Sequence, residues 1–318
     1  MPDQPGMHRK SRNFMAPRTR EKSGKQPTIN DVAALAGVSK KTVSRVINRS
    51  EFITDKTRQA VEQAIKMLGF VPNPQARALA FRRNFLIALL HDNPNAQTVL
   101  NFQQGVLDAI KDSDLALLVR PVDRGSDRLL DDVRHCVSSN DREVVAEAVG
   151  KLVELGHRRI GFVRGPVGFR SAAEREKGFH EALTTAGLAL PDELFAPGNY
   201  RYTAGIDAGE ALLSLAEPPT AIFCSNDEMA AGVMSVAHGK GIAVPTDLSI
   251  IGFDDSPTAT HIWPALSTVR WPIREMGMRA ARALVPDFLD INTRAADEES
   301  HVLPSTFVER QSVAAAKR

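Results

Sequence analysis

The sequence predicts a two-part chain: an all-α helix-turn-helix headpiece, then a large α/β body built on parallel sheets. Three observations carry this. Between Thr28 and Asn48, apolar residues recur at helical spacing on both sides of a glycine turn. From Phe85 onward, short apolar runs rich in β-branched residues alternate with helical stretches, the pattern of parallel strands covered by helices. Charge divides in the same place. Residues 1–26 hold seven Lys/Arg against two acids and residues 27–84 hold ten against four, which is +11 together. The whole chain carries only +2, so residues 85–318 are at −9. Basic charge gathered on one small domain is the footprint of phosphate contact.

Residues 1–26 are rich in Pro, Lys, Arg, Ser and Gly and poor in apolar groups, which predicts a disordered basic tail. Thr28 then offers a helix cap, with Asp31 three residues on. Ala36-Gly37-Val38 supplies a tight turn in which glycine tolerates a positive φ. Ser39 caps a second helix running through Asn48. Val43, Val46 and Ile47 recur at i, i+3, i+4 and face inward, leaving Lys40, Lys41, Thr42, Ser44, Arg45 and Asn48 outside. Such a helix can enter a DNA major groove. By itself the pattern also fits a helical hairpin with a solvated charged face. A third helix is predicted over Thr54 to Gly69, with Val61, Ala64, Ile65 and Leu68 on one face. PNPQARALA follows it.

In the body, FLIALL, LALLV, IGFVRG, TAIFCSN and LSIIGFDD read as strands. Helices are predicted over Ala96 to Lys111, Asp141 to Leu155, Ala172 to Ala186, Ala204 to Leu215 and Asp227 to His238. Sheets of this kind bind ligands at the carboxyl ends of their strands. No apolar run reaches membrane-spanning length, and the N-terminus lacks a signal-peptide core, so a cytoplasmic protein is expected. Two cysteines, Cys136 and Cys224, suggest neither a disulfide framework nor a metal site. No nucleophile elbow, P-loop, dinucleotide fingerprint or metal-ligand spacing of histidines occurs, so neither an enzyme nor a cofactor is expected. Asp254 and Asp255 would point to opposite faces of a strand, a poor layout for a catalytic pair.

TINDVAALAGVSKKTVSRVIN, the third helix and PNPQARALA together resemble the headpiece and hinge of the lac repressor/galactose repressor (LacI/GalR) family. The resemblance implies a dimeric repressor that binds a palindromic operator and answers to a small, sugar-like effector. It implies a headpiece over 27–72, a hinge helix over 73–84, and an effector-binding and dimerisation domain over 85–318. That domain looks like the periplasmic-binding-protein fold, with a ligand cleft between two subdomains, about 85–139 with 269–300, and about 140–268 with 301–318. IGFVRGP, PTAIFCSNDEMAAGV and DLSIIGFDDSPTATHIWPALSTVRWP carry this second match.

By the same resemblance Lys40, Lys41 and Arg45 read base edges, while Thr42, Ser44 and Asn48 hold phosphates. Thr28 is grouped with these DNA-binding residues. Leu79 matches a hinge leucine that wedges into the minor groove, with Ala76, Ala78 and Ala80 letting two hinge helices approach; its plainer reading is a buried helix leucine. Arg175, Tyr200, Asn226 and Asp254 match positions lining the cleft. Without the resemblance, Arg175 reads as a surface arginine and Asp254-Asp255 as a turn. The absence of a leucine-heptad tail favours a dimer over a tetramer. A transport-type sugar-binding protein is disfavoured by the basic headpiece.

One region departs from the family pattern. After Leu115 to Val119 and the helix-like SDRLLDDVRHCV, the chain runs straight into SSNDREVVAEAV. A strand, a helix and a further strand, on the order of 50 residues and more than one βαβ unit, have no counterpart. The join falls near Cys136-Val137-Ser138. A depleted first sheet is expected, built from Phe85 to Leu90, Leu115 to Val119 and a return near Ser267 to Trp271. The alternative function is a DNA-binding regulator whose effector sensing is impaired by this loss.

Overall fold

The computed structural model describes residues 27–47, 52–71, 86–91, 93–113, 115–122, 137–289 and 302–317. The tail 1–26, Asn48, the hinge over 73–84 with Leu79, and Cys136 with most of its helix-like segment lie outside the described residues. The chain divides into two compact units, Met1–Asn84 and Phe85–Arg318.

The first unit contains α1 (Ile29–Ala36), α2 (Lys40–Ile47) and α3 (Asp55–Leu68). The Thr28–Asp31 capping box closes at the start of α1: the Asp31 carboxylate accepts from the Thr28 amide at 2.7 Å, and the Thr28 hydroxyl accepts from the Asp31 amide at 3.4 Å. Gly37 ends the helix at φ 65°, a backbone that a side chain would strain. Ser39 accepts from the Thr42 amide at 3.1 Å and caps α2. Val32, Ala33, Val43, Val46, Val61 and Ala64 form one buried core.

The second unit is built on a four-stranded parallel sheet. Its order is β5 (Phe195–Ala196), β4 (Ile160–Val163), β6 (Ala221–Cys224), β7 (Ser249–Ile251). The fully buried runs of β4 and β6 explain why these strands read as continuous apolar stretches. On one face lie α5 (Asp141–Glu154) and α6 (Arg170–Thr185), around Val145, Leu152, Phe162, Phe179 and Phe223. On the other lie α7 (Tyr202–Leu213) and α8 (Asp227–Gly239), around Leu212, Ile222, Met229 and Ile250.

The first lobe holds one pair of strands and two helices among the described residues. Strands β1 (Leu86–His91) and β2 (Ala116–Pro121) pair in parallel, with Ala88 opposite Leu118. Helices α4 (Ala96–Ile110) and α10 (Ile273–Leu289) pack closely together; a Cβ on Gly105 would lie 1.9 Å from the Arg274 carbonyl oxygen, and one on Gly277 2.3 Å from that of Phe102. Ile87, Val106, Ile110 and Ala281 fill the space between them and the strands. Leu86, Leu90 and Leu118 remain exposed. Among the described residues this sheet has two strands.

The expected return near Ser267 to Trp271 does not join that sheet. It forms β8 (Thr268–Arg270), antiparallel to β10 (Thr306–Val308), and bridges to β7 through Ser267 and Ile251. The cause is polar anchoring: the Ser267 amide donates to the Ser312 hydroxyl at 2.8 Å, and the Thr268 hydroxyl donates to Asp227 at 2.5 Å. A short β3 (Ser138–Ser139) pairs in parallel with β9 (Val302–Leu303). No helix among the described residues is long and apolar enough to cross a membrane.

Candidate DNA-recognition helix and effector cleft

Helix α2 buries Val43 and Val46 against its neighbours and turns Lys40, Lys41 and Arg45 outward. Lys41 and Arg45 are one helical turn apart on the same face, as are Lys40 and Ser44. The helix holds no acid, so its outer face is a concentrated cationic strip. Thr42 is half-buried and shares a 2.9 Å hydrogen bond with the Ser39 hydroxyl. Thr28 is engaged in the α1 capping box, where its hydroxyl also donates to Asp31 at 2.6 Å. Asn48 and Leu79 lie outside the described residues.

In the second unit, the carboxyl ends of the parallel strands bring Arg175, Tyr200 and Asp254 together. Arg175, on α6, is buried. Its Nε donates to Asp141 at 2.9 Å and its Nη1 to the Ser225 carbonyl oxygen at 2.6 Å. The guanidinium lies 3.4 Å from the centre of the Phe253 ring, 5.5 Å from Trp271 and 5.8 Å from Tyr200. A cation with aromatic faces and a paired carboxylate has its charge satisfied without water. It is not a surface arginine.

Asp254 does not sit on a strand, and neither does Asp255. Their φ angles are 120° and 50°, in the loop after β7. Asp254 accepts from the Asn95 amide nitrogen at 3.3 Å, a contact that joins the two lobes. Burial pushes its carboxyl well above the usual carboxylate range, and the Arg175 charge opposes that shift. Tyr200 also has a positive φ, 65°, and its buried hydroxyl has no hydrogen-bond partner among the described residues. Strain of this kind is held only where surroundings enforce it.

Asn226 is a different case. It caps α8, accepting from the Met229 amide at 3.0 Å and donating to the Tyr200 carbonyl oxygen at 3.0 Å. Its side chain is engaged in holding Tyr200, which lines the slot beside Arg175.

Sequence reasoning missed Asp141, Asn95, Ser171 and Trp271. The polar cluster HDNPN at the end of β1 was a usable signal, being the carboxyl end of a parallel strand. Asp141 carried no such mark, because its partner Arg175 lies 34 residues away. Asp227 was also missed. It is fully buried, accepts from Thr268 and from the Ser256 amide, and burial pushes its carboxyl up to about 7.

Comparison with known proteins places both parts. Residues 28–73 match the model for bacterial regulatory proteins of the lacI family, and residues 149–313 match a periplasmic binding protein-like domain. The chain is 31% identical to the probable HTH-type transcriptional repressor ExuR of Bacillus subtilis (strain 168), over 90% of this chain and 98% of that one. Among solved structures it is similar to the transcriptional regulator CelR–cellobiose complex, with a TM-score of 0.64 and 29% identity over 90% of this chain and 99% of that one. It shares its fold with the lac repressor dimer bound to operator and the anti-inducer ONPF, with a TM-score of 0.76 and 24% identity over 92% and 100% of the two chains. The ExuR alignment runs over 337 positions, more than all 318 residues of this chain, while using 90% of it. That relative therefore carries residues with no counterpart here.

Proposed function

Because the chain belongs to the lacI family of bacterial regulatory proteins, we propose that it represses carbohydrate-utilisation genes as a homodimer on a palindromic operator, under control of a sugar-like effector. It is a sequence-specific DNA-binding transcriptional regulator. The observation that carries the reading is the cationic outer face of α2 on a three-helix core.

Lys40, Lys41 and Arg45 supply donors for guanine edges in the major groove. Thr42 and Ser44 hold phosphates and register, with Asn48 beside them in sequence. Thr28 fixes the start of α1 and lies among the DNA-binding residues by position. Leu79 wedges into the minor groove at the operator centre, and so short a hinge helix folds only when paired on DNA.

Sugar control is supported by Arg175, Tyr200 and Asp254, which gather buried donors and acceptors suited to hydroxyls. Asn226 contributes by holding Tyr200. Relatives bind such ligands: CelR is complexed with cellobiose and the lac repressor with ONPF. Effector and operator affinities are then linked reciprocally. The protein works in the cytoplasm, and it carries no enzymatic activity. Loss of sensing is the weaker alternative, because the cleft residues still converge despite the thin first sheet.

The test is operator selection with purified protein, with and without a panel of sugars. A palindromic site whose occupancy shifts with one sugar is expected. A site indifferent to every sugar would support lost sensing, and no enriched site would refute the repressor reading.

A further inference from the structure

The geometry points to an effector whose ring sits beside the Arg175 slot rather than in it, in a larger chamber bounded by β3 and β9, and to an effector that is an uncharged, hydroxyl-rich ring compound. This rests on the sugar-responsive reading above.

The slot lined by Arg175, Tyr200 and Asp254 holds about 20 Å³, room for one water or one hydroxyl group. It contains an unused hydrogen-bonding group, since Tyr200 is only 6% exposed and its buried hydroxyl has no partner among the described residues. Next to it lies a chamber of about 390 Å³. That is within the range of ligand pockets, roughly 300–1,000 Å³. Ser171 and Trp271 line both, so the slot and the chamber adjoin at these two residues.

The chamber has two kinds of wall. Val137, Trp271, Met276 and Val302 give an apolar side. The Trp271 ring is set by an edge contact with Phe253, centroids 6.2 Å apart. An indole face of this kind accepts the C–H face of a pyranose. The facing side carries Ser138, Ser139, Asn140 and the first turns of α5 and α6. A ring stacked on Trp271 lies beside the slot that Tyr200 lines.

Charge decides the class. Slot and chamber together hold four acids, Asp141, Glu143, Glu174 and Asp254, against three arginines, Arg142, Arg170 and Arg175. Arg142 is bound to Glu181 at 2.7 Å and Arg175 to Asp141 at 2.9 Å. Among the described lining residues acids outnumber cations, so no net positive charge favours a carboxylate or phosphate. Among the described residues β3 pairs with β9 alone, and both strands line the chamber.

The experiment uses the full chain carrying Trp263→Phe, so that Trp271 is the sole indole. Its emission is titrated with glucose, galactose, ribose, cellobiose and glucuronate. A neutral sugar is expected to shift the emission, and glucuronate is not. Val302→Glu, which puts a charge on the apolar wall, is expected to weaken binding about tenfold or more, whereas Thr98→Val in the slot costs about threefold or less. Val302→Ala should bind nearly as the parent does. Thermal melting and circular dichroism matching the parent report that the second unit of each variant is folded, and operator binding without sugar reports the headpiece. Loss of binding in Thr98→Val with none in Val302→Glu would overturn the chamber. Tighter binding of glucuronate than of any neutral sugar would overturn the uncharged class. No response to any sugar, with operator binding intact, would overturn the sugar reading itself.

Discussion

The headpiece and the effector cleft use the same residue types in opposite ways. In the headpiece, Lys40, Lys41 and Arg45 are exposed on α2, and the stability of the domain rests on other residues, Val32, Val43, Val46 and Val61. In the cleft, Arg175 and Asp254 are themselves part of the interior, tied to Asp141, the Ser225 carbonyl and Asn95. Recognition and folding are therefore separable in the first unit and bound together in the second.

The sharpest way to break that contrast is Arg175→Ala. Removing the cation strands Asp141 in a buried site, and loss of a buried pair costs about 3–5 kcal/mol. Effector response should vanish together with several degrees of thermal stability. If calorimetry finds stability unchanged while response is lost, the cleft is as separable as the headpiece. Arg45→Ala should do the reverse. Its effect on unfolding is expected within about 0.5 kcal/mol, as for exposed sites, while discrimination at one symmetric base pair falls by about 1–3 kcal/mol. An unchanged sequence preference in operator selection would remove Arg45 from the reading surface.

Acidity provides a further contrast. Burial raises the Asp227 carboxyl to about 7 in the folded chain from an ordinary value of 3.8. The folded state then holds its proton where the unfolded state has lost it. This contribution is fully present below about 3.8 and is lost as pH rises toward 7. Denaturant midpoints of the second unit should fall across that window, and Asp227→Asn should flatten the decline. A slope identical in the variant would assign the effect to another group. The smallest effect is expected at Leu118, half-exposed on the thin first sheet. Leu118→Lys should change stability by no more than about 0.5 kcal/mol and improve solubility. A cost of several times that size would show that the face is covered.

Headpiece elements were legible because their signals are local: a cap, a glycine turn and apolar residues one turn apart. The alternation of strands and helices was legible for the same reason. Strand partnership was less so. The return at Ser267 to Trp271 was expected beside β1 and β2, but hydroxyl bonds to Ser312 and Asp227 place it with the C-terminal strand. Asn226 was expected at the ligand cleft through the family resemblance. Nothing in its neighbourhood reveals that its amide bonds to the Met229 amide and the Tyr200 carbonyl oxygen within the fold.

By itself the chain's order of residues determined the helices, the parallel strands, the basic headpiece and the identity of its outward-facing cations, since all depend on neighbours within a few positions. Only the tertiary structure decided which polar groups meet. Asp141 with Arg175, Asn95 with Asp254, and Trp271 between the slot and the larger chamber are brought together across long stretches of chain. Buried charges need partners wherever the packing supplies them, and no short-range pattern records where that will be.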